Sequence, residues 1–127
     1  MTDLHPTISR FLAAVEDRDA DVLGGCLTAD MAYHFLVPHP PVTGRPDVVT
    51  TMGRVLGEWD RVRWDVTAHA TAGDSVFVER VDRFWKGDRE AAIECLGVFV
   101  LRDGLIAEIR DYADLGTWRQ RKDAALA

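Results

Sequence analysis

Cysteine is scarce in this chain, with two in 127 residues. The two, Cys26 and Cys95, form no CxxC pair, so a disulfide scaffold is excluded and a reduced, cytoplasmic setting is expected. Long hydrophobic runs are missing too. The longest apolar stretch, counting Gly97, is Leu96–Leu101, far short of a membrane span. The opening residues MTDLHPTISR include Asp3 and lack the basic-then-apolar order of a secretion signal. Positive charge is in deficit: 15 Lys and Arg stand against 21 Asp and Glu, a net charge of −6. Binding a phosphate backbone needs a basic face, so nucleic acid is not an expected partner. No GxGxxG, GxxxxGKS or GxxxxGKT occurs, which leaves a nucleotide cofactor unsignalled. Ser9 and Ser75 sit in no GxSxG context. His5, His34, His39 and His69 form no close metal-ligand motif. Neither a metal nor any other cofactor is expected.

What is present is an ordinary globular composition, 47% hydrophobic and 28% charged. The length suits one domain, residues 1–127, burying roughly two thirds of its unfolded surface. No repeat, linker or low-complexity block interrupts it. Leu4, Ile8, Phe11, Leu12 and Val15 form one helical stripe, with Pro6 in the first turn. Asp19 suits the N-cap of a short second helix carrying Val22, Leu23, Cys26 and Leu27, weakened by Gly24-Gly25. A strand is expected over Met31–Val37, stopped by Pro38, Pro40 and Pro41. After a turn at Val42-Thr43-Gly44-Arg45, Pro46 opens a third helix with Val48, Val49, Met52, Val55, Leu56 and Trp59 facing the core.

From Arg61 the period drops from 3.6 to 2, as Val62, Trp64, Val66 and Ala68 alternate with polar residues. Turns at 71–74, 86–89 and 102–104 separate three more strands, Ser75–Trp85, Ala91–Leu101 and Leu105–Tyr112. Asp114 is positioned to cap a final short helix through Trp118 and Arg121. Helices grouped early and strands grouped late predict an α+β fold, with helices covering the concave face of a curved sheet over a pocket.

Charges on an apolar strand face are the informative residues. On Ser75–Trp85 both faces are mixed: Val76, Val78, Arg80, Asp82 and Phe84 on one, Phe77, Glu79, Val81, Arg83 and Trp85 on the other. On the last strand Leu105, Ala107, Ile109, Asp111 and Ala113 form an apolar row broken only by Asp111. The opposite face, Ile106, Glu108, Arg110 and Tyr112, reads as solvated. A buried carboxylate must pair or shift its pKa upward, and Arg80 is the natural partner. Asp82, Arg80 and Asp111 would then hold two coupled carboxylates around one guanidinium. Such a set can supply one acid and one base at neutral pH; it can equally be a structural ion pair beneath a helix. Tyr33 reads by itself as a core aromatic, and Cys95 as a small core residue.

Three segments carry a resemblance: YHFLVPHPPVTGR at 33–45, VERVDRFW at 78–85 and LGVFVLRDGLIAEIRDYADL at 96–115. Together, and above all through ERVD at 79–82 and RDYADL at 110–115, the chain resembles the limonene epoxide hydrolase family. That family lies within the superfamily of nuclear transport factor two, ketosteroid isomerase and the SnoaL-like polyketide cyclases. The likeness covers nearly the whole chain. It implies a cone-shaped α+β roll in which a curved antiparallel sheet packs on three N-terminal helices around an apolar pocket. It also implies one-step, metal-free addition of water to a small apolar epoxide. Asp111 would take a proton from water, Asp82 would give one to the epoxide oxygen, and Arg80 would bridge them. Tyr33 matches the family's water-holding Tyr. The family's Asn two residues on is replaced here by Phe35, which cannot hydrogen-bond a water. His39 or a main-chain carbonyl could position the water instead. Otherwise a substrate hydroxyl could attack, as in a cyclase; an isomerase and a binding protein with Arg80 as anion anchor also remain open.

Phe35, Met52, Trp59, Trp64, Val78, Phe84 and Leu96 are the expected pocket-lining residues, although core packing explains the aromatic ones equally well. Phe77, Val81 and Trp85 would form an apolar convex face, which by family analogy implies a homodimer packed sheet to sheet.

Overall fold

A computed structural model describes residues 3–127. Met1 and Thr2, at the head of the segment read as carrying no secretion signal, lie outside the described residues. Helix α1 (Pro6–Asp17) begins where His5 accepts a hydrogen bond from the Thr7 amide and ends at Arg18 in the left-handed conformation. Asp19 caps α2 (Ala20–Gly25) by accepting from the Val22 amide at 3.2 Å, as expected. The rest follows as β1 (Leu27–His34), β2 (Val42–Thr43), α3 (Arg45–Gly57), β3 (Arg61–Ala72), β4 (Ser75–Lys86), β5 (Arg89–Arg102), β6 (Leu105–Tyr112) and α4 (Leu115–Leu126).

One six-stranded curved sheet runs in the order β2-β1-β6-β5-β4-β3. The α+β class stands, but the sheet is mixed rather than antiparallel throughout, because β1 lies parallel to β6. That parallel junction sets where β1 begins. The strand expected at Met31–Val37 starts at Leu27, which pairs with Ile106, so Leu27 belongs to the sheet and not to α2. It also ends early, because Val37 leaves the ladder to donate its amide to the Asp111 carbonyl at 2.9 Å. Val42-Thr43, read as part of a turn, pairs with Ala32 and Tyr33 as an edge strand. Ile106, assigned to the solvated face, is fully buried. A register shift between Val100 and Leu101 lets it break the alternation.

The helices follow their apolar stripes. Ile8, Phe11 and Val15 of α1 and Val48, Met52 and Leu56 of α3 are buried in the common core. Helix α1 lies against β3, α3 against β1 and α4 against β5. The fourth helix is longer than expected and adds a wall beyond the three N-terminal ones. Its Trp118 meets Trp59 and Phe84 at ring-centroid distances of 6.1 and 5.1 Å. Among the described residues no helix is long and apolar enough to cross a membrane.

Packing resolves the ambiguity of β4. Val76, Val78, Arg80, Asp82 and Phe84 are all buried, so the two charges point into the core. On the other face Trp85 is covered by the Arg61 guanidinium, 3.9 Å from its ring centroid. Val81 is half-buried and Phe77 exposed. The expected apolar convex face is thus interrupted by charge, through Arg63–Asp65–Arg83–Glu90 ion pairs.

Candidate active site

Four side chains from three strands meet at the inner face of the sheet. Arg80 and Asp82 are consecutive inward residues of β4, which aligns the guanidinium with its neighbour's carboxylate. Arg80 donates from Nε to Asp82 Oδ1 at 2.7 Å and from Nη2 to Asp82 Oδ2 at 3.0 Å. The same Nη2 reaches across β5 to Asp111 Oδ2 at 3.0 Å. Tyr33, inward on β1 beside β6, donates its hydroxyl to that Asp111 oxygen at 2.7 Å. The Arg80 side chain is 0% exposed. One face of its guanidinium lies over the Trp64 ring, with Cζ 4.5 Å from the centroid.

Burial and charge set the protonation pattern. Burial raises Asp82 to about 6, against the pull of the Arg80 charge and its hydrogen bonds, and Asp111 adds to the rise. Burial would lower Arg80, but the charges of Asp111 and Asp82 override it and hold the guanidinium above its ordinary value. Tyr33 is held well above its usual range by burial and then by the Asp111 charge, so its hydroxyl remains a donor. Cys95, whose Sγ is 3.4 Å from Arg80 Nη2, is pushed upward by burial in spite of that cation. Its thiol stays protonated and is a poor nucleophile.

Above this cluster opens an apolar cavity of about 120 Å³. Its walls include Tyr33, Phe35, Met52, Trp64, Asp82, Phe84 and Asp111, which places seven of the expected site residues together. Phe35 stacks flat on Tyr33 at 3.9 Å and 6°. Arg80 lies behind the two carboxylates and is not among the lining residues. Trp59 is buried beyond Phe84, 5.4 Å between ring centroids, and Val78 is fully buried in the core; neither lines the cavity. Leu96 is a correction: it is 41% exposed on the outer face, opposite Glu79 and Tyr112. It faces outward because the inner face of β5 runs through Ile93, Cys95, Gly97 and Phe99.

Residues not expected in the wall are Leu36, Val55, Ile93, Cys95, Ala113, Asp114, Leu115 and Trp118. The period-2 pattern of β5 contained the signal for Ile93 and Cys95, whereas α4 could be placed only by its packing. His39 is exposed, with its ring nitrogen 3.2 Å from the Leu36 carbonyl, and does not reach the cluster. His34 faces outward and pairs with Glu108 at 3.3 Å. Three buried polar atoms have no hydrogen-bond partner among the described residues: Trp64 Nε1, Arg80 Nη1 and Asp111 Oδ1.

Residues 8–109 match the model of the SnoaL-like domain. Epoxide hydrolase EphG of Mycobacterium tuberculosis (strain ATCC 25618 / H37Rv) is 30% identical over 110 residues, 85% of this chain and 71% of that protein. A solved M. tuberculosis LEH-like epoxide hydrolase superposes with a TM-score of 0.78 at 25% identity, covering 96% of this chain and 90% of the other. A hypothetical protein of ketosteroid isomerase-like fold from Catenulispora acidiphila DSM 44928, crystallised with trimethylamine, gives 0.83 at 20% identity over 95% of both chains, a likeness of fold. With a match over most of its length and relatives of this kind, the chain belongs to the SnoaL-like domain family and has LEH-like epoxide hydrolases among its homologues.

Proposed function

We propose that this protein is an epoxide hydrolase that adds water to a small apolar epoxide by acid–base catalysis. The observation that carries the reading is one buried guanidinium joining two carboxylates that both line an apolar cavity. Both Asp111 hydrogen bonds fall on Oδ2 and Oδ1 has no donor, so the carboxylate keeps the capacity to take a proton from water. The water oxygen bonds to one epoxide carbon as the bond from that carbon to the ring oxygen breaks. Asp82, with its raised affinity for a proton, protonates the departing oxygen. A diol leaves. The proton gained by Asp111 equals the one lost by Asp82, and its return across the Arg80 bridge resets the site. The Trp64 indole N–H, on the ladder partner of Asp82, offers a second donor to the substrate oxygen.

Size and polarity support a small apolar substrate. A cavity of about 120 Å³ compares with the roughly 150 Å³ apolar cavity that binds benzene. Arg80 sits behind two carboxylates, which argues against an anion anchor. The stack of Phe35 on Tyr33 favours one alternative, attack by a hydroxyl of the substrate itself to form a cyclic ether. Exposed Phe77, Leu96 and Tyr112 on the outer sheet face support a homodimer, which sedimentation equilibrium tests.

The deciding experiment is incubation with cyclic and aryl epoxides in H₂¹⁸O, read by mass spectrometry. The expected product is a singly labelled diol, and Asp111→Asn lowers kcat by roughly 10²–10⁴-fold with KM little changed. Turnover without label establishes intramolecular attack instead. Absence of turnover, with Asp111→Asn binding small apolar ligands as the parent does, overturns the catalytic reading.

A further inference from the structure

Gly97 has no backbone reason to be glycine. It lies inside β5, between β4 and β6, and is not among the positive-φ glycines, which are Gly44, Gly73, Gly87 and Gly104. Glycine inside a strand weakens it and often marks a close approach by another group. That group is visible here. Gly97 pairs with Val78 on one side and Asp111 on the other, with its α-carbon beneath the charged cluster. A Cβ on Gly97 would fall closer to Arg80 Nη1 than carbon and nitrogen can approach, 2.8 Å from Asp111 Oδ1 and 3.1 Å from Phe99 Cε1. No other glycine meets more than an ordinary or slightly tight contact.

Neither charged group can turn aside without loss. The guanidinium is fixed by Nε and Nη2 on Asp82 and lies against Trp64. Asp111 is fixed through Oδ2 by Tyr33 and Arg80. The two atoms that press on Gly97, Arg80 Nη1 and Asp111 Oδ1, are also the two atoms of the cluster without hydrogen-bond partners. No polar contact at Gly97 competes with their placement. The missing side chain is therefore the space in which the cluster is assembled.

We propose that Gly97 is a positioning residue: its lack of a side chain lets the Arg80 guanidinium lie against β5 and bridge Asp82 to Asp111. Its kinetic consequence rests on the epoxide hydrolase reading, and its structural consequence does not.

The test is Gly97→Ala, with Gly53→Ala as the control, because Gly53 is exposed on α3 with nothing within 4 Å of an added Cβ. The expected result is a kcat on the epoxide substrate at least about 100-fold lower, with KM within about threefold, since misplacement near 1 Å costs that much. Substrate-free carbon-13 NMR should also show the Asp82 titration, near 6 in the parent, moving up by at least about half a pH unit as the guanidinium is pushed from its carboxylate. Gly53→Ala leaves both readouts unchanged. Wild-type turnover and titration in Gly97→Ala overturn the proposal. If the parent turns over no epoxide, the functional reading fails and the titration alone judges Gly97. An Arg80→Lys background, which lacks Nη1, provides the second arm. There the added methyl is relieved of Nη1 but still 2.8 Å from Asp111 Oδ1, so it should move the titration and midpoint temperature less than it does with Arg80 in place, and should restore folding if Gly97→Ala alone does not fold. An undiminished effect in that background also overturns the proposal.

Discussion

Replacing Arg80 by Met removes three charge-assisted hydrogen bonds from a fully buried site, two to Asp82 and one to Asp111. Breaking a buried ion pair from one side costs about 3–5 kcal/mol, because the remaining charge is uncompensated. The pH dependence is the sharper prediction. In the parent, Asp82 has a folded pKa raised to about 6. Its stabilising contribution is therefore complete below its unfolded value, is lost as pH rises through about 6, and then stops changing. Without Arg80 a carboxylate of the cluster keeps its proton to higher pH, and folding continues to weaken by about 1.4 kcal/mol per pH unit. Between pH 6 and pH 7.5 the variant should thus lose about 2 kcal/mol more than the parent. Urea unfolding at the two pH values measures this as a relative midpoint shift of about 1 M, for a slope of about 2 kcal/mol/M. Equal destabilisation at both pH values would refute the claim that Arg80 offsets two buried carboxylates.

Other perturbations probe the site from different sides. If Asp82 is the proton donor, kcat/KM for epoxide opening should fall about tenfold per pH unit above about 6, where it ionises; a flat profile to pH 9 removes it from that role. Phe35→Asn ends the stack on Tyr33 and adds an amide that can hold water, so ¹⁸O incorporation should rise several-fold in rate; an unchanged rate means that water is held elsewhere. Leu96→Ser, on the outer face and away from the cavity, should leave KM for the epoxide unchanged in steady-state kinetics.

The candidate site was legible in part because one of its residues broke a period. Asp111 stood out in an apolar row, and ERVD and RDYADL carried the family resemblance now supported by sequence and fold matches. The outward placement of Leu96 is not legible in the sequence, because a single apolar residue beside Gly97 does not reveal which face of β5 turns inward. The place of Trp118 in the wall depends on how α4 closes over β4 and β5, which no local pattern encodes. Gly97 carried no sequence signal beyond being glycine, since its role lies in what approaches it.

The sequence by itself determined the α+β character, the helix starts at Pro6 and Asp19, the period-2 strands and the identity of the charged triplet, because these depend on near neighbours along the chain. The tertiary structure decided the parallel β1–β6 junction, the inward face of β4 and the meeting of Tyr33 with Asp111, 78 positions apart. Ladder register and helix packing set those distances, and no local pattern encodes them. The scarcity of cysteine acquires its local meaning there as well: burial beside Arg80 keeps the Cys95 thiol protonated at the edge of the cavity.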